Sequence, residues 1–173
     1  MKNIKVDFFS ESKKWPRRIP KIKIISKKTI NKMSSYFKSD HSFELNIILS
    51  DKSKMIKLNK IYKNSQSDTD VLTFISKISN KNVGKILYCD IFFSIDIIEK
   101  FIRRNKVTIY DHFNHLLIHS LLHINGYDHK KNLDFKKMKK EEIKILGSFG
   151  INNPYKIQWT QITLIKHLVG KIG

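Results

Sequence analysis

The stretch HSLLHINGYDH, residues 119–129, predicts both the end of a helix and a metal site. His119 and His123 are four residues apart, so a helix places their imidazoles on one face, one turn apart. Gly126 can adopt the left-handed backbone conformation that ends a helix, and the chain can then bring His129 back to the same point. Three protein ligands with an open fourth position are typical of catalytic zinc. We therefore expect one zinc ion per chain, bound by His119, His123 and His129.

Two further histidines, His112 and His115, precede this stretch at helical spacing and extend the stripe. Five of the seven histidines lie between residues 112 and 129, so the stripe is a local feature of this segment. The rest of the segment is mostly apolar, which predicts a central helix packed between a sheet and other helices. His115, one turn before His119, is a candidate for proton transfer or for holding substrate.

The residue that follows the first ligand argues against peptidase chemistry. Zinc peptidases of the H-E-x-x-H type carry a glutamate general base there, whereas this chain has Ser120. A serine hydroxyl cannot take a proton from zinc-bound water at neutral pH. Asp128 is the carboxylate inside the stretch, and it either orients a ligand histidine or caps local backbone amides. Asp70 is a further candidate for a carboxylate that contacts the ligand histidines without contacting the metal.

The composition favours an anionic partner and a reducing compartment. The net charge is +19, and lysine and arginine neutralise phosphates. The chain has no alanine and is rich in lysine, isoleucine and asparagine, which is typical of an AT-biased genome, so the charge supports RNA binding only modestly. Cys89 is the single cysteine and is interpreted as a small apolar strand residue. Without a disulfide, a signal peptide or a membrane span, the expected location is the cytoplasm.

Periodicity and turn residues predict one α+β domain, in which a small mixed β-sheet packs with helices around the histidine-bearing helix. We expect this metalloprotein domain over residues 1–155 and a basic C-terminal extension over residues 156–173. Ser50 or Asp51 is expected to cap the second helix, and Ser94 the third. The predicted strands are residues 4–8, 43–49, 71–75 and 86–93; the predicted helices are residues 18–37, 52–63, 95–104, about 110–124 and 132–146.

Several segments together resemble the YbeY family. The stretch 119–129 resembles that family's H-G-x-L-H-L-x-G-Y-D-H, which is the most specific of the matches. LNKIYK at 58–63 resembles L-N-x-x-[YF]-R, TDVLTF at 69–74 resembles T-[DN]-V-L-S-F, LYCDI at 87–91 lies where the family has a strand around G-D-[IV], and NPY at 153–155 resembles its C-terminal end. The resemblance covers about residues 1–155. It implies a single-domain bacterial metalloprotein that cleaves single-stranded RNA internally, in ribosomal RNA maturation and ribosome quality control.

Three positions depart from the family pattern. Lys63 stands where the family usually has an arginine that serves the active site, and lysine keeps the charge but loses the bidentate grip on phosphate. Ser120 and Cys89 each replace a glycine. None of the three removes a metal ligand. The resemblance makes Lys63 a candidate catalytic residue beside His115 and Asp128.

The predicted function is that of a zinc-dependent, single-strand-specific endoribonuclease. Its expected partners are single-stranded RNA, which the resemblance implies is ribosomal, and the ribosome or ribosomal proteins. Two alternatives stay open. One is a zinc hydrolase of another substrate, such as a peptide. The other is a non-catalytic ribosome assembly factor, whose zinc would be closed by a fourth protein ligand.

Overall fold

The computed structural model describes residues 3–37, 41–64, 68–80 and 84–156. The predicted C-terminal extension beyond Lys156 lies outside the described residues. Within the described ranges, no helix is long and apolar enough to cross a membrane.

A four-stranded mixed sheet forms one layer of the domain, as predicted. The strands are β1 (Ile4–Ser10), β2 (His41–Ser50), β3 (Val71–Asn80) and β4 (Gly84–Ser94). They lie in the order β1-β2-β4-β3; the first two pairs are parallel and β3 runs antiparallel to β4. Both β3 and β4 are longer than predicted, because their pairing continues as far as Asn80 and Gly84.

Alternate residues of the central strands face the helical layer. Leu45 of β2 lies opposite Cys89 of β4, and Ile47 lies opposite Ile91. All four side chains are buried in the apolar core, as the period of two along a strand requires. Cys89 is fully buried, which agrees with its interpretation as a small apolar strand residue.

Six α-helices lie within the described part of the chain, and one predicted helix is wrong in its extent. The helix predicted over residues 18–37 starts later and ends earlier, and a short 3-10 turn, Ser34–Tyr36, follows it. Pro20 is the cause of the late start, because proline disfavours helical dihedrals at the preceding residue, and Ile19 has φ −134° and ψ 76°. The helices are α1 (Lys14–Arg18), α2 (Ile22–Lys32), α3 (Lys52–Lys63), α4 (Ile95–Asn105), α5 (Ile109–Ile124) and α6 (Asn132–Ser148).

Helix α1 was missed from the sequence, and a tryptophan fixes it to the sheet. Trp15 is fully buried, and its Nε1 donates a hydrogen bond of 2.8 Å to the Ser50 carbonyl. Its ring contacts Phe93 and Phe113 edge-on. The sequence around Trp15 contains Pro16 and four basic residues, which conceals a five-residue helix from a search for apolar periodicity.

Side-chain caps fix where α3, α4 and α5 begin. Asp51, rather than Ser50, caps α3 by accepting from the Lys54 amide at 3.0 Å. Ser94 caps α4 as predicted, and Thr108 caps α5 by accepting from the Asp111 amide at 3.0 Å. Since α4 follows β4 directly, its cap also fixes the path of the chain towards α5.

Helix α5 is the central helix, as expected. It packs against α2, α4, α6 and β3, and nearly every residue from His112 to Ile124 is buried. The four histidines therefore lie inside the domain instead of on a solvated face.

Candidate metal centre

The end of α5 turns the chain back towards the histidine stripe. Gly126 has φ +88°, its amide donates to the His123 carbonyl at 2.9 Å, and the Tyr127 amide donates to the Leu122 carbonyl at 3.1 Å. This pair of hydrogen bonds around a left-handed glycine is a common helix C-terminus. The turn predicted at Gly126 is therefore present, and it directs His129 to the side of α5.

The three predicted ligands lie together at this turn. One ring nitrogen from each of His119, His123 and His129 lies within 4.8 Å of the other two. Nε2 of His119 and Nε2 of His123 are 3.1 Å apart. The first two imidazoles are buried and the ring of His129 is half-buried, so the cluster lies at the edge of the core.

A buried carboxylate that the sequence analysis missed orients the first predicted ligand, His119. Oε1 of Glu142, on α6, accepts a hydrogen bond from Nδ1 of His119 at 2.8 Å, and Glu142 is fully buried. A proton on Nδ1 leaves Nε2 unprotonated, which is the form that coordinates a metal. Tyr155 donates its hydroxyl proton to Oε2 of the same carboxylate.

The sequence contains one indication that Glu142 is buried and paired. Met138, Ile145 and Leu146 are buried residues of α6 and lie three or four positions from Glu142, so the glutamate interrupts the apolar face of an amphipathic helix. A carboxylate at such a position needs a partner in the core.

His115 is near the ligands and shares their carboxylate. Its Nε2 lies 3.4 Å from Oε1 of Glu142, the same oxygen that contacts His119. Burial acts to raise the pKa of Glu142, but the electrostatic interactions and hydrogen bonds with His115 and His119 outweigh it and hold that pKa below its ordinary value. Burial, reinforced by the Glu142 charge, raises the pKa of the Tyr155 hydroxyl, which therefore remains a donor.

Lowered pKa values keep the other two predicted ligands, His123 and His129, neutral. Burial, followed by the neighbouring His119 and His129, lowers the pKa of His123 to about 2. Burial and His119 also lower the pKa of His129. Since only an unprotonated imidazole nitrogen coordinates a metal, both residues are in the form that a metal site needs.

Asp70 pairs with His112 at the start of the stripe. Its Oδ2 lies 3.4 Å from Nε2 of His112, which is long for a hydrogen bond, and the His112 ring stacks on Phe101 with centroids 3.9 Å apart. This contact places Asp70 beside a histidine that is not one of the three predicted ligands.

Ser120 and Asp128 make local contacts with the backbone. The Ser120 hydroxyl is fully buried and donates to the Leu116 carbonyl at 2.9 Å, within its own helix. Oδ1 of Asp128 accepts from the backbone amide of His129 at 2.7 Å. This contact is the second of the two roles considered for Asp128, the capping of a local backbone amide. It fixes the backbone of the third predicted ligand, His129.

Lys63 is the last residue of α3, and its side chain lies outside the described residues. Another residue of the same helix connects two of the predicted motifs. Nδ2 of Asn59 donates to Oγ1 of Thr69 at 2.9 Å, and both residues are buried. This bond joins α3 to the segment that leads through Asp70 into β3.

The fold is a single domain in which a small mixed sheet packs against a central helix, and three imidazoles converge at the end of that helix in a cluster that could bind a metal ion. A family model described as Endoribonuclease YbeY matches residues 8–150. The chain therefore belongs to the YbeY family, and the resemblance found in its motifs is confirmed.

One curated relative agrees with this assignment over most of the chain. A protein of Anaplasma phagocytophilum (strain HZ) named Endoribonuclease YbeY is 32% identical over 154 residues, which cover 88% of this chain and 98% of that protein. A solution structure of a Thermotoga maritima protein is 25% identical with a TM-score of 0.44, covering 87% of this chain and 95% of that one.

Proposed function

We propose that this chain is a zinc-dependent endoribonuclease that cleaves single-stranded RNA. We further propose that its substrate is ribosomal RNA and that it acts with the ribosome in the cytoplasm, in ribosomal RNA maturation and ribosome quality control. The convergence of His119, His123 and His129 within 4.8 Å carries the proposal. The endoribonuclease family and the net charge of +19 support an RNA substrate.

The donor set fits zinc. Imidazole nitrogen is a preferred ligand of Zn²⁺, and the Glu142 contact keeps Nε2 of His119 unprotonated. Among residues 3–37, 41–64, 68–80 and 84–156, the candidate metal-binding group has three members. Three ligands favour a catalytic site over a structural site closed by four protein groups.

Zinc bound there would supply a Lewis acid for a phosphoryl oxygen and would lower the pKa of a coordinated water to about 7. The residues of the chain would then do the positioning. Glu142 holds His119 in the correct tautomer, and Asp128 holds the backbone of His129. His115 would exchange a proton or hold substrate, and Lys63 would balance charge that develops on the phosphate.

The decisive experiment is cleavage of a single-stranded ribosomal RNA fragment by untagged protein. His123→Ala, purified identically, removes a predicted ligand, and His41→Ala is the matched control because His41 lies on β2, away from the stripe. We expect cleavage by the wild type and by His41→Ala, and none by His123→Ala or in the presence of a chelator.

Equal cleavage by all three proteins would contradict the proposal and indicate a contaminating nuclease. The non-catalytic assembly factor would be favoured if the wild type retains zinc, has no exchangeable ligand at the metal and does not cleave RNA. Metal-dependent cleavage of a peptide library would favour the other hydrolase; the hydrogen bond from Ser120 to Leu116 makes Ser120 unfit as the base for that reaction.

A further inference from the structure

A cavity of about 690 Å³ lies beside the histidine stripe, between α4, the first half of α5 and residues 150–154. Small-molecule sites in proteins commonly have volumes of about 300–1,000 Å³, so this cavity is large enough for a ligand group. None of the three predicted metal ligands lines it. It therefore lies next to the predicted metal centre and does not include that centre's ligands.

Two left-handed turns fix the rim of the cavity. Lys106 ends α4 with φ +52°, and Gly150 follows the end of α6 with φ +72°. The Ile151 amide donates to the Leu146 carbonyl at 3.0 Å, which turns residues 150–154 back towards α5. Both rim segments are thus tied to helix ends, and the cavity is preformed.

The lining suits a neutral, planar, hydrogen-bonding group. Nδ2 of Asn105 donates to the Phe101 carbonyl, which leaves its Oδ1 as an acceptor; Oδ1 of Asn153 accepts from the Tyr155 amide, which leaves its Nδ2 as a donor. Asn152 adds a third amide at the exposed rim. Mixed donors and acceptors of this kind match the edges of nucleobases.

The charges of the lining disfavour a phosphate in the cavity. Among the residues that the structure describes, Lys106 is the one lysine or arginine that lines it, and the Asp111 carboxylate also contributes to the lining. The apolar parts, among them Val107, Ile151 and Pro154, favour a ring over an anion. Arg103 and Arg104 are exposed in the last turn of α4, directly before Asn105, where they can meet the backbone of a longer strand.

The cavity lies one helical turn from the metal centre. His115 lines it, and the His115 and His119 ring centroids are 6.4 Å apart. Both imidazoles contact the same oxygen of Glu142, at 3.4 and 2.8 Å. A nucleotide that places a phosphate at the three histidines would therefore place an adjoining base at this cavity.

We propose that this cavity binds the base of a nucleotide adjoining the cleaved phosphate and so contributes to sequence preference. The proposal rests on the proposed function for its biological meaning, but its test does not need cleavage. The probes are the four nucleoside 5′-monophosphates, added one at a time to the zinc-loaded full chain, with inorganic phosphate as the reference ligand. The readout is the side-chain amide signals of asparagines in ¹H–¹⁵N spectra.

We expect at least one monophosphate to shift the signals of Asn105, Asn152 and Asn153 in a saturable way that inorganic phosphate does not reproduce. Asn152→Ala should weaken that binding about tenfold, because one hydrogen-bonding partner of the base is lost. Asn31→Ala is the matched control, since Asn31 is also an exposed asparagine but lies on α2. It should bind as the wild type does.

Saturable shifts confined to other residues would overturn the proposal, and so would shifts that inorganic phosphate reproduces in full. Binding by Asn152→Ala as tight as that of the wild type would also overturn it. If RNA cleavage fails while the asparagine shifts appear, the cavity stands as a nucleotide site and the nuclease function falls. If cleavage succeeds without the shifts, the nuclease function stands and the base site falls.

Discussion

Nδ1 of His119 donates to Oε1 of Glu142 at 2.8 Å, and this hydrogen bond joins residues 23 positions apart in the sequence. It connects the central helix α5 to α6 through a fully buried carboxylate. We predict that Glu142→Gln lowers zinc affinity about 10- to 100-fold, because the proton on Nδ1 of His119 is no longer fixed by a negative charge. Competition with a fluorescent chelator would measure this affinity.

Glu141→Gln is the matched control for that variant. Glu141 is the adjacent residue of α6 and accepts from the Tyr36 hydroxyl at 3.2 Å, away from the ligands. It should retain wild-type zinc affinity. Equal affinity in the two variants would mean that Glu142 has no role in orienting His119.

Gly126→Ala should destabilise the fold by about 1 kcal/mol, because a side chain disfavours a left-handed backbone conformation. Its φ is +88° and an added Cβ would meet no atom within 4 Å, so strain is the whole of the effect. Urea denaturation measures the change. Gly147→Ala, in an exposed position of α6 that is equally open, should instead stabilise by about 0.5–1 kcal/mol. The same sign for both variants would contradict this account.

The stability of the protein should fall in acid partly because of His112. Burial, the largest cause, lowers its pKa below the ordinary value of 6.5, against the opposing effect of Asp70. His112 thus stays neutral in the folded chain, while the unfolded chain takes up a proton as the pH falls through 6.5. Its contribution to stability is complete above pH 6.5 and is lost progressively below it.

His112→Gln tests this dependence, because glutamine does not titrate. The free energy of unfolding should decline less between pH 7.5 and pH 5.5 in the variant than in the wild type. An identical decline in the two proteins would show that His112 does not contribute.

Cys89 should be chemically silent in the folded protein. Burial, followed by the charge of Asp90, raises the pKa of its thiol to about 12, so little reactive thiolate exists at pH 8. Ellman's reagent should detect no thiol in the native chain and one after unfolding in guanidinium. Rapid labelling without denaturant would mean that β4 opens readily.

The role of Lys63 can be separated from that of general charge. Lys63→Ala should reduce RNA cleavage at least tenfold, and Lys63→Arg should retain or increase it, because guanidinium binds phosphate in a bidentate way. Lys60→Ala, at an exposed position of the same helix, is the control and should lose little. Equal losses in Lys60→Ala and Lys63→Ala would assign the effect to net charge alone.

The sequence predicted local features best. The i,i+4 spacing of His119 and His123 and the glycine at position 126 act within one or two turns of chain, so the end of α5 could be foreseen. Cys89 was correctly interpreted because its neighbours are strand-forming apolar residues. The break near Pro20 was underestimated, although the restriction on the residue before a proline is also local.

Features that depend on packing between distant segments were not predicted. The partner of Glu142 could not be known, because no local pattern says that α6 lies against the stripe on α5. The pairing of His112 with Asp70, which joins α5 to the start of β3, is of the same kind. Asn59 and Thr69 were included in motifs, but their mutual hydrogen bond depends on how α3 packs.

The position of Glu142 so late in the chain has a consequence for biosynthesis. A nascent polypeptide that has emerged only as far as residue 130 carries all three predicted ligands, but helix α6 and its carboxylate have not yet been synthesised. The metal centre is therefore completed only when α6 docks on α5. A truncated product released between these two points would hold zinc weakly, so an intact α6 becomes a condition for maturation of this predicted site.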